Sequence, residues 1–249
     1  MFSILKRNWV DLFCYTNNRA AYEYFPIAPA NNFIPYWWNK IPNNIIEPGY
    51  ENDIKSDSIK QVTMKRCPGI IEYYKKGFML PLWSDLEFVI DKGNIRASIA
   101  CGIDENGCDS HPNFQRGQFL TKEVWEHIKI SSPWRLSTDK KIDFMYLQPH
   151  WNLNNLNKNI LIPNGTIDFF FQNGTEIQLF LNRQYDGVVS INAGMPLIHL
   201  VPLTDKKIKV HNIYDKIEHK NYDNNDISFI GDYYRKVNEY KKRFAHDKK

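Results

Sequence analysis

The sequence predicts a mostly β protein, an antiparallel β-sandwich or jelly-roll-like single domain with an irregular Pro-rich N-terminal segment and a C-terminal amphipathic helix. Three observations carry that expectation. Between residues 160 and 203 the chain places Asn-Gly at 164 and 173 and Asp-Gly at 186, with alternating apolar residues between them, a pattern that reads as antiparallel strands joined by turns. Prolines at 26, 29, 35 and 42 interrupt the opening segment, and proline lacks the amide that a strand or helix interior uses. Near the end, Phe229, Tyr233, Val237, Tyr240 and Phe244 form one helical stripe.

The elements follow in chain order. A short strand is expected near 11–16, after which the prolines send the chain over the surface. Within that stretch "IPYWWNKIP" suits one helical turn, and Trp37 and Trp38 clamp the loop to the body or offer a stacking platform. Residues 59–66 alternate weakly. In "CPGIIEYYKKGF" Ile70, Tyr73 and Tyr74 fall at helical spacing, and Gly77 ends the turn. "MLPLWSDLEFVID" is a strand pair or one bent strand, "KGN" a turn, and "IRASIACGI" the returning strand. A three-residue loop, Gln172 to Gly174, pairs Phe169 with Ile177 and Ile167 with Leu179, because a two-residue loop sets apolar against charged residues. The closing helix starts with Asp226 or Ser228 as cap. One domain spans 1–249, divided into a wrap at 1–58, a β body at 59–212 and a helix with basic tail at 213–249.

Composition narrows the chemistry. A chain of 249 residues with 43% hydrophobic and 14% aromatic residues buries a sizeable core, and its aromatic content exceeds what that core uses. The net charge of +4 is concentrated in the basic end, which reads as a solvated face, so nucleic acid is not an expected partner. No apolar run is long enough to cross a bilayer, and the charged start does not suit a signal peptide. Cysteines 14, 67, 101 and 108 contain no C-x-x-C spacing; they are expected to stay reduced, with Cys67 buried and inert at its Pro-Gly corner.

Neither G-x-S-x-G nor a phosphate loop is present. A jelly-roll metal centre uses ligands converging from neighbouring strands, and His111, His150 and His199 form the sharpest such set, for iron or zinc. His199, between Ile and Leu, also reads as a hydrogen-bonded core residue. Otherwise no cofactor is expected. Trp134 and Arg135 in "SSPWRLS", Gln148 and Trp151 in "LQPHWNL", and Trp83 and Asp85 in "PLWSD" combine rings with polar groups. Together they suit an aromatic-lined cleft for a sugar or peptide.

With "FCYTNN", "FPIAPANNFIPYWW", "KRCPGI", "GFMLPLWSD" and "AGMPLIHLVPLTD", the chain resembles proteins of tailed marine phages, especially T4-like cyanophages. More distantly it is similar to a bacterial family of unknown function, with Arg66-Cys67, Gly77-Phe78, Ser110-His111, Trp134 and Val201-Pro202 as the matching elements. "PNFQRG" after His111 departs from that family's direct Phe-Gly. The resemblance implies a phage origin and no particular activity. The expected function is a phage-encoded accessory protein in the cytoplasm of the infected host cell, binding a polar ligand or a protein partner without catalysis. A metal-dependent jelly-roll enzyme, cupin- or oxygenase-like, and a virion component are the alternatives; a homo-oligomer is left open.

Overall fold

The computed structural model describes residues 8–46, 60–99, 108–110, 124–153, 156, 158–170 and 172–214. The expected helix at 226–244 and the basic tail lie outside the described residues. The first part of the chain forms β1 (Trp9–Thr16), α1 (Arg19–Tyr24), β2 (Ala28–Pro29), α2 (Tyr36–Lys40) and β3 (Asn44–Ile46). After β4 (Lys60–Val62) come α3 (Pro68–Lys75), β5 (Phe78–Pro81), β6 (Leu86–Asp91), β7 (Asn94–Ile99) and β8 (Cys108–Ser110). The long β9 (Trp125–Thr138), β10 (Asp143–Leu147), β11 (Ile160–Leu161) and β12 (Gly165–Asp168) follow. The last four strands are β13 (Gly174–Asn182), β14 (Gly187–Ile191), β15 (Pro196–Pro202) and β16 (Lys207–Tyr214).

Mostly β architecture is what the structure shows, built from several sheets. One sheet runs β11-β13-β9-β1-β16 with β8 also on β9; a second runs β12-β10-β15-β5-β2; a third, β14-β6-β7, closes one side. Alternation makes the sandwich. Val10, Leu12 and Cys14 on β1, Ile128, Ile130 and Leu136 on β9, and Ile177, Leu179 and Leu181 on β13 all point inward. They meet Phe144 of β10, Leu200 of β15 and Phe88 of β6 in one continuous core. Trp134 is the largest side chain fully enclosed there, and its indole N–H has no acceptor among the described residues.

Local signals produced the elements they predict wherever the partner is a sequence neighbour. β6 and β7 form an antiparallel hairpin in which Asp91 faces Asn94, and Lys92 and Gly93 both adopt positive φ, as a two-residue type I′ turn requires. Tyr36–Lys40 is the single helical turn between prolines. Pro68 opens α3 at its first turn, where the missing amide costs nothing.

The Asn-Gly and Asp-Gly signals behave differently. The loop around Gly174 does not join a hairpin: Ile167 pairs with Phe144 of β10, and Ile177 pairs with Ile130 of β9. The predicted pairings Phe169–Ile177 and Ile167–Leu179 are therefore absent. β12 and β13 lie in different sheets, as do β13 and β14, so these glycines mark corners where the chain crosses between layers. Asp186 shows what such a corner is for, since its Oδ1 accepts from the Lys92 amide at the β6–β7 turn, 2.9 Å away. β1 and β16 pair in parallel, an exception to the antiparallel pattern that is open to them because nearly the whole described chain connects them.

Cys67 also departs from expectation. It is exposed, at the N-cap of α3, whereas Cys14 is the buried thiol. The Pro-Gly corner lies on the surface, so the small side chain plugs nothing. Burial pushes the Cys14 thiol pKa up, suppressing the reactive thiolate. Alkylation of the native protein, followed by peptide mass mapping, is expected to label Cys67 readily and Cys14 only after denaturation. Trp134→Ala should cost about 3–5 kcal/mol, as large core truncations do. Trp134→Phe should cost less, because it also removes the unpaired donor; urea unfolding of both variants measures the difference.

Candidate ligand-binding groove

β15 is buried on both faces. Leu197, Ile198, His199 and Leu200 are all 0% exposed, and since side chains alternate across a strand, His199 points away from the main core. Ala30, Trp38, Ile70 and Tyr74 cover that face, forming a second cluster with Met79, the cross-strand neighbour of His199 on β5. His199 lies beneath α3, its ring edge-on to Tyr73 at 4.4 Å between centroids. Its Nε2 bonds the Lys76 carbonyl at 2.6 Å, so Nε2 carries the proton and donates. Burial lowers the His199 pKa, with the Lys76 carbonyl bond acting in the opposite direction.

That bond fixes the end of α3. Lys76 caps the helix, donating its amide to the Glu72 carbonyl at 3.2 Å. Gly77 follows at φ +74°, and a Cβ there would overlap the Leu200 carbonyl, so glycine is required by both conformation and space. The Gly77 carbonyl in turn accepts from the Ala30 amide at 3.1 Å. Across from it, β15 ends at Pro202, the Leu203 amide bonds the Asp143 carbonyl at 2.8 Å, and the Lys206 amide bonds Thr204 Oγ1 at 3.2 Å.

Between the two lies an open groove of about 790 Å³, within the size range of small-molecule sites. Phe78, Val201, Pro202 and Ile208 contribute apolar surface; Lys75, Lys76, Lys206, Thr204 and Asp205 contribute polar groups. Lys75 forms an exposed pair with Glu72 at 3.0 Å. The Lys76 and Lys206 ammonium groups have no acceptor among the described residues. A second cavity of about 300 Å³ is lined by Glu126, Cys108 and Arg183, but its charges are already matched: Arg183 reaches Glu126 at 3.2 Å and the Gly93 carbonyl at 3.0 Å.

The structure distributes the sequence-predicted residues among separate places. Trp83 and Trp134 are core residues at 3% and 0% exposure, and a ring in that setting has no face to offer a ligand. Gln148 is buried too; its Oε1 accepts from the Ile162 main-chain N–H at 2.9 Å, and its own main-chain N–H donates to Asn164 Oδ1 at 3.2 Å. It organises the backbone of the β10–β11 connection. Asp85 accepts from the Ala193 amide at 2.7 Å and so holds the turn before β15. Arg135 lies half-buried on β9, opposite Tyr15 and Gly174.

Trp151 alone among the six joins an aromatic group, with Trp37 donating to its carbonyl at 3.3 Å and their rings 6.2 Å apart. Tyr74 and Asn152 complete this latch: the Tyr74 hydroxyl donates to Asn152 Oδ1 at 3.0 Å, and Asn152 Nδ2 donates to the Phe33 carbonyl at 2.7 Å. The tryptophan pair at 37 and 38 thus fastens the N-terminal segment to the body.

Of the three histidines, His199 spends its N–H on Lys76, His150 is exposed, and His111 lies outside the described residues. No group of three metal-ligating side chains occurs among the described residues. No helix of the described residues is long and apolar enough to cross a membrane. No protein-family model matches the chain, and no curated protein matches it significantly.

Sequence reasoning passed over the groove, although a signal existed. "KKGF" and "PLTDKK" each place a lysine pair beside a turn residue; only the fold brings these segments, well over a hundred residues apart, to one site.

Because the fold favours neutral His199, the unfolded state binds more protons below the ordinary histidine pKa of about 6.5. The contribution is fully present above that value and is lost as pH falls from there through the lowered folded value. Stability of the wild type is expected to decline across this window. His199→Gln, which keeps an N–H donor but does not titrate, is expected to flatten that decline in urea titrations at pH 7.5, 6.5 and 5.5.

Proposed function

We propose that this protein is a non-catalytic binding protein, of the phage-encoded accessory kind the sequence resemblance implies, and that it holds a polar ligand in the groove between α3 and the β15–β16 turn. The observation that carries this reading is a pair of ammonium groups, Lys76 and Lys206, without an acceptor among the described residues, beside apolar surface on a backbone frame that is already anchored. Preorganisation of this kind favours binding, because little ordering cost remains when the ligand arrives. The groove replaces the cleft expected from Trp134 and Trp151, whose rings serve the core and the N-terminal latch.

A non-catalytic role is supported by how the candidate base is used. His199 is enclosed, directed at a main-chain carbonyl and separated from solvent by Tyr73, whereas a general base needs reach to its substrate.

The test is a two-dimensional NMR titration of the whole chain with neutral sugars, phosphorylated sugars and short peptides, followed by mass spectrometry of the mixtures. Saturable shifts centred on Gly77, Val201 and Thr204 to Lys206, with the ligand recovered unchanged, are expected. Binding centred on the Trp37–Trp151 latch, or conversion of a ligand to product, would overturn the assignment.

A further inference from the structure

We infer that the ligand of this groove is a phosphorylated sugar, which specifies the occupant of the binding site proposed above and rests on that reading. Three features of the groove combine. First, its cationic groups are lysines: three line it against one aspartate, and two of them lack an acceptor among the described residues. An ammonium binds phosphate as a compact point charge with rotatable donors, and several ammonium groups together match a multiply charged anion. Thr204 adds a hydroxyl whose oxygen already accepts from the Lys206 amide, leaving its proton for a phosphate oxygen.

Second, Asp205 lies on the same lining as the lysines. A carboxylate accepts only, so beside a phosphate it is matched by hydroxyl donors on the body of the ligand. A carbohydrate provides several, and its C–H faces suit the apolar surface of Phe78 and Pro202.

Third, the site discourages an added peptide strand. β15 ends in Pro202 and β2 in Pro29, and both prolines line the groove. Neither has an amide to donate, and Pro29 ends the edge strand β2, where a proline blocks ladder extension. Recognition therefore falls to side chains, which is how a small polar ligand is held.

Isothermal titration calorimetry with ribose 5-phosphate, ribose and inorganic phosphate, on wild type and on the Lys76→Ala/Lys206→Ala double variant, tests this. Both lysine side chains are exposed and have no partner among the described residues, so the variant is expected to fold, which a matching unfolding curve verifies. Ribose 5-phosphate should bind at least tenfold tighter than either ribose or phosphate. The double variant should lose tenfold or more of that affinity, and added salt should weaken wild-type binding.

Equal binding of ribose and its phosphate, indifference to the lysine substitutions, or phosphate alone binding as well as the phosphosugar would each overturn the inference. An oligonucleotide binding a hundredfold tighter than ribose 5-phosphate would do the same, by making a polymer the ligand. If a neutral sugar or peptide still shifts Gly77 and Thr204 in the NMR titration, the binding reading stands without this occupant. If nothing shifts them, both fall.

Discussion

Burial of β15 on both faces is the constraint around which the rest of the molecule is arranged. A strand with Leu197, Ile198, His199 and Leu200 fully enclosed has to be covered twice. The inner face is met by the long β9 sheet through the common core. The outer face is met by the short helices and the 3-10 turn at Ala30–Phe33, elements contributed by the proline-interrupted N-terminal part and by α3. Once that second layer exists, the His199 ring under it needs a partner, and the carbonyl at the end of α3 is within its reach.

Several otherwise separate features follow from that arrangement. The His199–Lys76 bond ends α3 in a fixed place, the left-handed Gly77 returns the chain into β5, and its carbonyl ties down the start of the 3-10 turn. The covering layer is fastened at its other end by the Trp37, Trp151, Tyr74 and Asn152 contacts. The groove lies at the margin of this layer, where β15 runs past the start of β5 and the covering elements stop. Its shape is therefore a by-product of covering a sheet, and its chemistry is what the lysine pairs add to that shape.

Aromatic content is partitioned by the same logic. Trp134 and Phe88 fill the space between sheets, where large rings supply the most apolar area. Trp37, Trp38, Tyr73 and Tyr74 join the second layer to the outer face, and the Trp37 indole N–H and the Tyr74 hydroxyl reach loop acceptors. Rings that looked surplus to one core are used by two. An aromatic excess in the composition is thus equally the mark of a sheet covered on both sides and of an open stacking surface.

The sequence by itself determined the mostly β class, the β6–β7 hairpin, the short helix between prolines, α3 and its terminating Gly77. Each of these depends on residues within a few positions of one another, where periodicity and turn chemistry act directly. Tertiary structure decided which strands pair, because a turn signal such as Asn173-Gly174 specifies a change of direction and not the sheet that receives the next strand. Burial was decided there as well: Trp134 and Gln148 became internal, and Cys67 external, through packing by distant segments. The groove belongs entirely to that level. Lys76 and Lys206 line one groove only because β15 pairs with β5, which sets the end of α3 beside the turn that follows β15, and neither lysine pair specifies the distant segment it will face.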